Sequence, residues 1–497
     1  MSATPPPVPW RRGLELLQPT TRLHVSGYRL LVRRMEHALV RGDTRMLDDP
    51  LRAQSISLAA GAVLASIAVV VCTVLALLRP AGELGDAPIV VVRDTGAMYV
   101  RIGEVLHPVF NLASARLIAG TPADPHVVGQ QAVDSARRGT QVGIPGAPQQ
   151  IATPLSAEDS AWTVCDDARG ETIVVAGRIA DGTVAPGAGV LVTPRDVSGA
   201  TTYLLYDGRR AQVDLRHPAV VRALRLEGSV PRPISGAVLA AIPEVPEIMP
   251  PHIPEAGSPG PRTISQHPVG AVLKVHRSTG ESDGSADYFV VLTEGVQRIG
   301  EVTADLIRYT DSRVGEQIPA VAPSVIGALP IINSLPVTTF PERMSPIPPY
   351  PQQQLAGRGG VNRVPVICAH WRADPAGRAS STAVLVGEEP PLISRPVELA
   401  QADAEGPAVD AVSMPPGRNA FGRSVGLTGG GQSTGSLFLV TDSGVRYGIR
   451  NSETARILGL TDTAQPAPWP ILAGLPQGPE LSRSGASVDR DVIVAAP

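Results

Sequence analysis

Residues 56–78 read ISLAAGAVLASIAVVVCTVLALL, 23 residues without a charge. A helix of roughly 20 apolar residues crosses the hydrocarbon core of a bilayer. The buried helix of a soluble domain keeps a polar stripe, and this run has none. A cleaved signal peptide needs a basic start within about the first 15–30 residues and a short apolar run ending at small residues. Here 55 residues precede the run, and it ends in LLRPAG with no A-x-A site. The reading is a permanent membrane helix from Ile56 to Leu78.

Arginine asymmetry orients it. Residues 1–52 carry nine Arg against five Asp or Glu, a balance of +4, and only Arg79 and Arg93 follow within fifteen residues of the span. The positive-inside rule then holds the N-terminus in the cytoplasm and exports residues 79–497. With a whole-chain charge of −3, the exported region carries −7. The expectation is a single-pass protein of the inner (plasma) membrane. The cytoplasmic piece contains a predicted amphipathic helix within residues 21–43, with Val25, Tyr28, Val32, Met35 and Leu39 at helical spacing. Tyr28, Arg33 and Arg34 are its candidate docking residues. Two fates stay open: lying on anionic lipid headgroups, or docking to a partner protein.

Composition narrows the function. Aromatics are 3% of the chain and pI is about 6.3, which leaves neither stacking platforms nor a basic footprint for nucleic acid. A single lysine, Lys274, among 43 basic residues points to a GC-rich genome. Cys72 lies within the span. Cys165 and Cys368 lie in the exported region, where thiols pair. Their surroundings mirror each other, WTVC at 162–165 and CAHW at 368–371, each reading as a strand with an aromatic near the thiol. A disulfide between them is predicted, with His370 as a surface strand residue. No C-x-x-C or second Cys–His pair completes a zinc site.

Four exported segments read alike, starting at Ile89, Tyr203, Tyr288 and Leu437. Each is expected to hold a strand, a glycine turn requiring positive φ (Gly96, Gly208, Gly295, Gly444), a second strand and a short helix. The helices align from Asn111, His217, Thr303 and Asn451, each with an arginine five residues on: Arg116, Arg222, Arg308 and Arg456. Asn and Thr are good N-caps, because their side chains accept from orphan helix N–H groups. Proline-marked helical tails follow from Val230, Ile318 and Ala467. The first unit ends differently, in GIPGAPQQI at 143–151.

The fold class is therefore α+β: one transmembrane helix, and four strand-turn-strand-helix repeats around a central β-rich domain that bears the disulfide. The expected boundaries are 1–55 cytoplasmic, 56–78 span, 79–154 first repeat, 155–200 the opening segment of the central domain and 201–260 second repeat. Then come 261–352 as third repeat with its proline-rich tail, 353–433 as the closing segment of the central domain, and 434–497 as fourth repeat and tail.

HVSGYRLLVRRMEHAL, the span, RDTGAMYVRIGEVLHPVFNLASARLIAG, GIPGAP and the terminal PQGPELSR run together resemble the EccB-type membrane component of type VII (ESX) secretion systems of mycobacteria and relatives. The resemblance covers nearly the whole chain. It implies a core inner-membrane subunit assembled with an FtsK-like ATPase and a many-span membrane subunit, a homo-oligomer within that complex, and WXG100-type cargo. It also implies an elongated exported region whose repeats are similar to a phage-lysin cell-wall-binding fold, so peptidoglycan is a second candidate partner.

The family has also been described as an ATPase. A P-loop needs a lysine that follows glycine, in G-x-x-x-x-G-K-[ST], and Lys274 follows Leu273. TGGGQSTG at 428–435 lacks that lysine and reads as a loop, and the acids Asp94, Asp207 and Glu294 belong to turns. No G-x-S-x-G or H-E-x-x-H pattern occurs. The expectation is a structural subunit with no catalytic residues, no cofactor and no metal, and an ATP-hydrolysing secretion component stays open as the alternative.

Overall fold

Local chemistry builds small β units here, because strand-forming runs of five residues alternate with glycine turns and short capped helices. The computed structural model describes residues 22–42, 50–78, 84–167, 169–180, 184–186, 189–195, 201–276, 286–310, 317–345, 366–374, 379–404, 406–429, 434–460 and 463–490. Gly430–Ser433 of the glycine-rich loop and residues 346–352 of the proline-rich tail lie outside them. The chain divides into two bodies, Met1–Ala81 and Gly82–Pro497.

The first body holds two helices. Arg22–Arg41 turns Val25, Tyr28, Met35 and Leu39 to solvent along with Arg29, Arg33, Arg34 and Arg41. Pro50–Leu78 contains the one helix long and apolar enough to cross a membrane among the described residues, at Ser55–Val74. Its side chains there are exposed, Ile56 at 66% and Leu58 at 75%. The helix ends at Leu78 as expected, but starts six residues before Ile56.

In the second body one strand order recurs. In the first sheet 89–92, 98–102 and 105–108 form an antiparallel meander, with 126–128 parallel to its first strand and 137–138 parallel to its third. A second sheet repeats this order with 190–194, 202–206 and 209–213, flanked by 232–234 and 244–245. A third meander, 272–276, 286–292 and 295–299, is flanked by parallel bridges at Ala320 and Ile331. The fourth, 418–425, 437–440 and 446–449, has 465–468 beside its first strand and Gln477 beside its third. In each, a helix follows the meander and a five-residue helix joins the two flanking segments. The latter helices are Gln130–Asp134, Gly236–Ala240, Pro323–Gly327 and Trp469–Ala473.

Three expectations change. The strand 190–194 belongs to the second sheet and 418–425 to the fourth, so the boundaries at 200/201 and 433/434 fall inside sheets. The first unit has the same tail as the others, at 126–138, and GIPGAPQQI comes after it. In this unit Gly96 turns the first strand pair, whereas Gly103 (φ 63°) occupies the place of Gly208 and Gly444.

Candidate functional site: the disulfide sheet and the units that grip it

A seven-stranded sheet lies between the units, and 161–166 and 366–373 are neighbouring strands within it. They pair antiparallel, with Cys165 opposite Cys368 and Trp162 opposite Trp371. The mirrored WTVC and CAHW follow from that pairing, since antiparallel neighbours read in opposite directions. The two cysteines are disulfide-bonded, 203 residues apart in sequence and wholly buried. Closing so long a loop restricts the unfolded chain, worth about 5 kcal/mol in the chain-entropy account. Second and third units lie within the closed loop, so the bond staples the two chain segments that flank them.

Both tryptophans face one side of this sheet. They join a continuous core that takes Leu205, Ile234 and Ile242 from the second unit and Phe438, Ala467 and Leu472 from the fourth. Gly208, at φ 70°, sits against strand 380–387 of this sheet, where a β-carbon would overlap the Thr382 carbonyl oxygen. At Gly444, φ 83°, an added β-carbon would come 2.7 Å from Val412 Cγ2. Gly96 faces open space, and Gly295 lacks positive φ and is crowded by the Pro330 carbonyl. Asp166, next to Cys165 and 1% exposed, ties the sheet to the second unit. It accepts from Thr172 Oγ1 at 2.9 Å, Ser235 Oγ at 2.7 Å and Arg195 Nη2 at 2.8 Å. That set satisfies a buried carboxylate, which would otherwise be costly.

First and third units attach one step further out. Ala113 and Leu117 of the first pack with Phe421, Leu439 and Leu458 of the fourth. Arg116 is buried there. Its Nη1 donates to the Leu458 carbonyl at 2.7 Å and its Nη2 meets Asp124 at 2.9 Å. Val220 and Leu224 of the second unit pack with Val302 and Leu306 of the third. Glu301 pairs with Arg225 at 3.0 Å and Arg343 at 2.9 Å, and Tyr206 donates from its hydroxyl to the Thr339 carbonyl at 2.7 Å. Burial pushes the Tyr206 phenol up to about 12. The packing sequence is thus first, fourth, central, second, third.

The caps divide likewise. Asn111 Oδ1 accepts from Ser114 N at 2.9 Å, and Asn451 Oδ1 from Thr454 N at 2.8 Å. His217 makes no such bond, and Pro218 starts its helix instead. Thr303 is no cap: it lies buried within the helix Glu301–Thr310, whose first bond runs from Ala304 N to the Gly300 carbonyl. His370 is half-buried rather than on the surface, its Nδ1 2.8 Å from Thr163 Oγ1. Burial first, then Arg372, pulls its pKa below the ordinary histidine range. Lys274 lies within the strand 272–276, hydrogen-bonded through its backbone to Pro319 and Val321, which is not a phosphate-loop geometry.

These features define a class: a protein with one candidate membrane helix and a larger body of small β units clamped about a disulfide-bearing sheet. Residues 17–495 match the family described as type VII secretion system ESX-1, transport TM domain B. The chain is 37% identical to the ESX-3 secretion system ATPase EccB3 of Mycolicibacterium smegmatis, over 100% of this chain and 95% of the relative. It is 33% identical to the ESX-5 secretion system ATPase EccB5 of Mycobacterium tuberculosis, over 95% and 94%. Among solved structures it is similar to a chain of an intact ESX-5 inner membrane complex, with TM-score 0.69, 31% identity and 98% of each chain covered. It is also similar to the EccB3 dimer of the ESX-3 core complex, with TM-score 0.66, 34% identity and coverage of 81% of this chain and 100% of that one. The chain belongs to the EccB family of type VII secretion membrane components.

Proposed function

We propose that this chain is a structural core subunit of a type VII (ESX) inner-membrane complex, organising the exported side of the route taken by WXG100-type proteins. One observation carries the reading: its likeness to a chain of an intact ESX-5 inner membrane complex extends over 98% of both chains. The +4 balance of residues 1–52 supports a cytoplasmic N-terminus. Residues 79–497 are then exported, as an elongated region of four repeats in the packing sequence described above. The relative solved as a dimer supports self-association. The FtsK-like ATPase and the many-span subunit expected from the resemblance are the proposed neighbours. ATP hydrolysis is assigned to that separate ATPase, because the one lysine of this chain is held mid-strand. Peptidoglycan binding stands as the second reading, and nothing in the geometry favours it over the first.

The exposed apolar and arginine-bearing faces of Arg22–Arg41 are the proposed cytoplasmic docking element. Replacing Arg33 and Arg34 by Glu should abolish the high-mass complex in native gels of detergent-extracted membranes. An unchanged complex, with the variant expressed at the normal level, rules the docking role out.

A further inference from the structure

The central sheet has a second side. Trp162, Val164, Ala369 and Trp371 fill the shared core on one face, so alternation along the strands sends Thr163, Cys165, Cys368, His370 and Arg372 to the other. That face opens into a cleft of about 990 Å³, within the size range of small-ligand sites. Arg178 and Arg372 both line it. Both are exposed, and neither makes an ion pair with a described residue, so their guanidinium groups are open to a ligand. His370 lies in the cleft, its ring fixed by Thr163, and Ser380 and Ser381 add hydroxyl groups. The apolar lining is short or branched: Ala161, Ile179, Ala373 and Leu385.

We propose that this cleft binds a short peptide of small apolar residues through its free carboxylate, with Arg178 and Arg372 as the anion-binding pair. A guanidinium offers forked donors that match a carboxylate. The lining has room for methyl-sized side chains beside it. Glu158 and Asp374 also line the cleft, and their repulsion weighs more heavily on a polyanion such as a nucleotide than on a single carboxylate held between two guanidinium groups. The carboxylate can come from a peptide C-terminus or from an acidic side chain, and the probes separate these sources.

The test uses the full-length protein in detergent and isothermal titration with N-acetyl-Ala-Ala-Ala, its C-terminal amide, and N-acetyl-Ala-Asp-Ala amide. The C-terminal acid should bind at least tenfold more tightly than the amide. Tight binding of the Asp peptide amide instead assigns the source to a side chain. The double variant Arg178→Gln, Arg372→Gln should erase the preference, while its melting temperature and intact Cys165–Cys368 bond show that it folds. Equal affinity for all three probes overturns the proposal. So does a preference undiminished in the folded double variant, or no binding by any probe at millimolar concentration.

Discussion

Gly208 and Gly96 share nearly the same backbone, φ 70° and 69°, yet their surroundings differ. An alanine is strained in either place, because L side chains rarely adopt positive φ. At Gly208 it must also displace the Thr382 carbonyl of the central sheet, whereas at Gly96 it meets nothing within 4 Å. Gly208→Ala should therefore lower the melting temperature clearly more than Gly96→Ala, whose cost is the backbone strain alone, about 1–2 kcal/mol. Equal losses would mean that the turn does not seat the second unit. In sequence these glycines rank as equals, since a glycine turn is written locally while what the turn abuts is not. Asn111 and Asn451 are legible for the same reason: a cap is satisfied within three residues. Thr303 misleads because Arg308 suggests a common register. The third helix starts earlier, at Glu301, and a β-carbon on Gly300 before it would press on Glu342.

Helices are where the units meet. Arg116 reaches the carboxyl end of the Ser452–Ile457 helix, where unsatisfied carbonyls and the helix dipole favour a cation. Replacing Arg116 with Met should destabilise by about 2–3 kcal/mol, because a buried carbonyl loses a charged donor. Asp124→Ala should cost less than about 1 kcal/mol, since its carboxylate is 91% exposed and its half of the ion pair is screened. Denaturant titration of both variants measures the contrast, and similar losses would make the Asp124 pair the dominant contact. The second-to-third junction is sensitive to base. Tyr206 has its pKa raised in the folded state, so the stability it adds is complete below about pH 10 and is lost as pH rises through about 12. Wild type should lose stability over that window and Tyr206→Phe should lose less. Parallel curves would remove Tyr206 from the junction. None of this pairing is readable from sequence: which helix packs on which is set by contacts 76, 133 and 342 residues apart. The first unit's tail is equally hidden, because Gln130–Asp134 forms its helix without the prolines that mark the other three.

Across the whole molecule, the mirrored motifs WTVC and CAHW make the disulfide legible, and the uncharged run at 56–78 makes the candidate membrane helix legible. Boundaries are less so. Strands 190–194 and 418–425 carry the same β-rich composition as the central domain, and only their hydrogen-bonding partners assign them to the second and fourth units. The central domain and its neighbours share one core, so composition has no break to report. The sheet stapled by one disulfide shares one core with the second and fourth units, and the first and third units pack onto those. That architecture suits a component held by other subunits. The most direct measurement is purification of this chain from its own cell membranes in mild detergent, followed by mass spectrometry and sizing of what comes with it. The account predicts a large assembly with several copies of this chain and further ESX membrane subunits. Recovery of the chain alone as a monomer, from membranes in which those subunits are present, would contradict it.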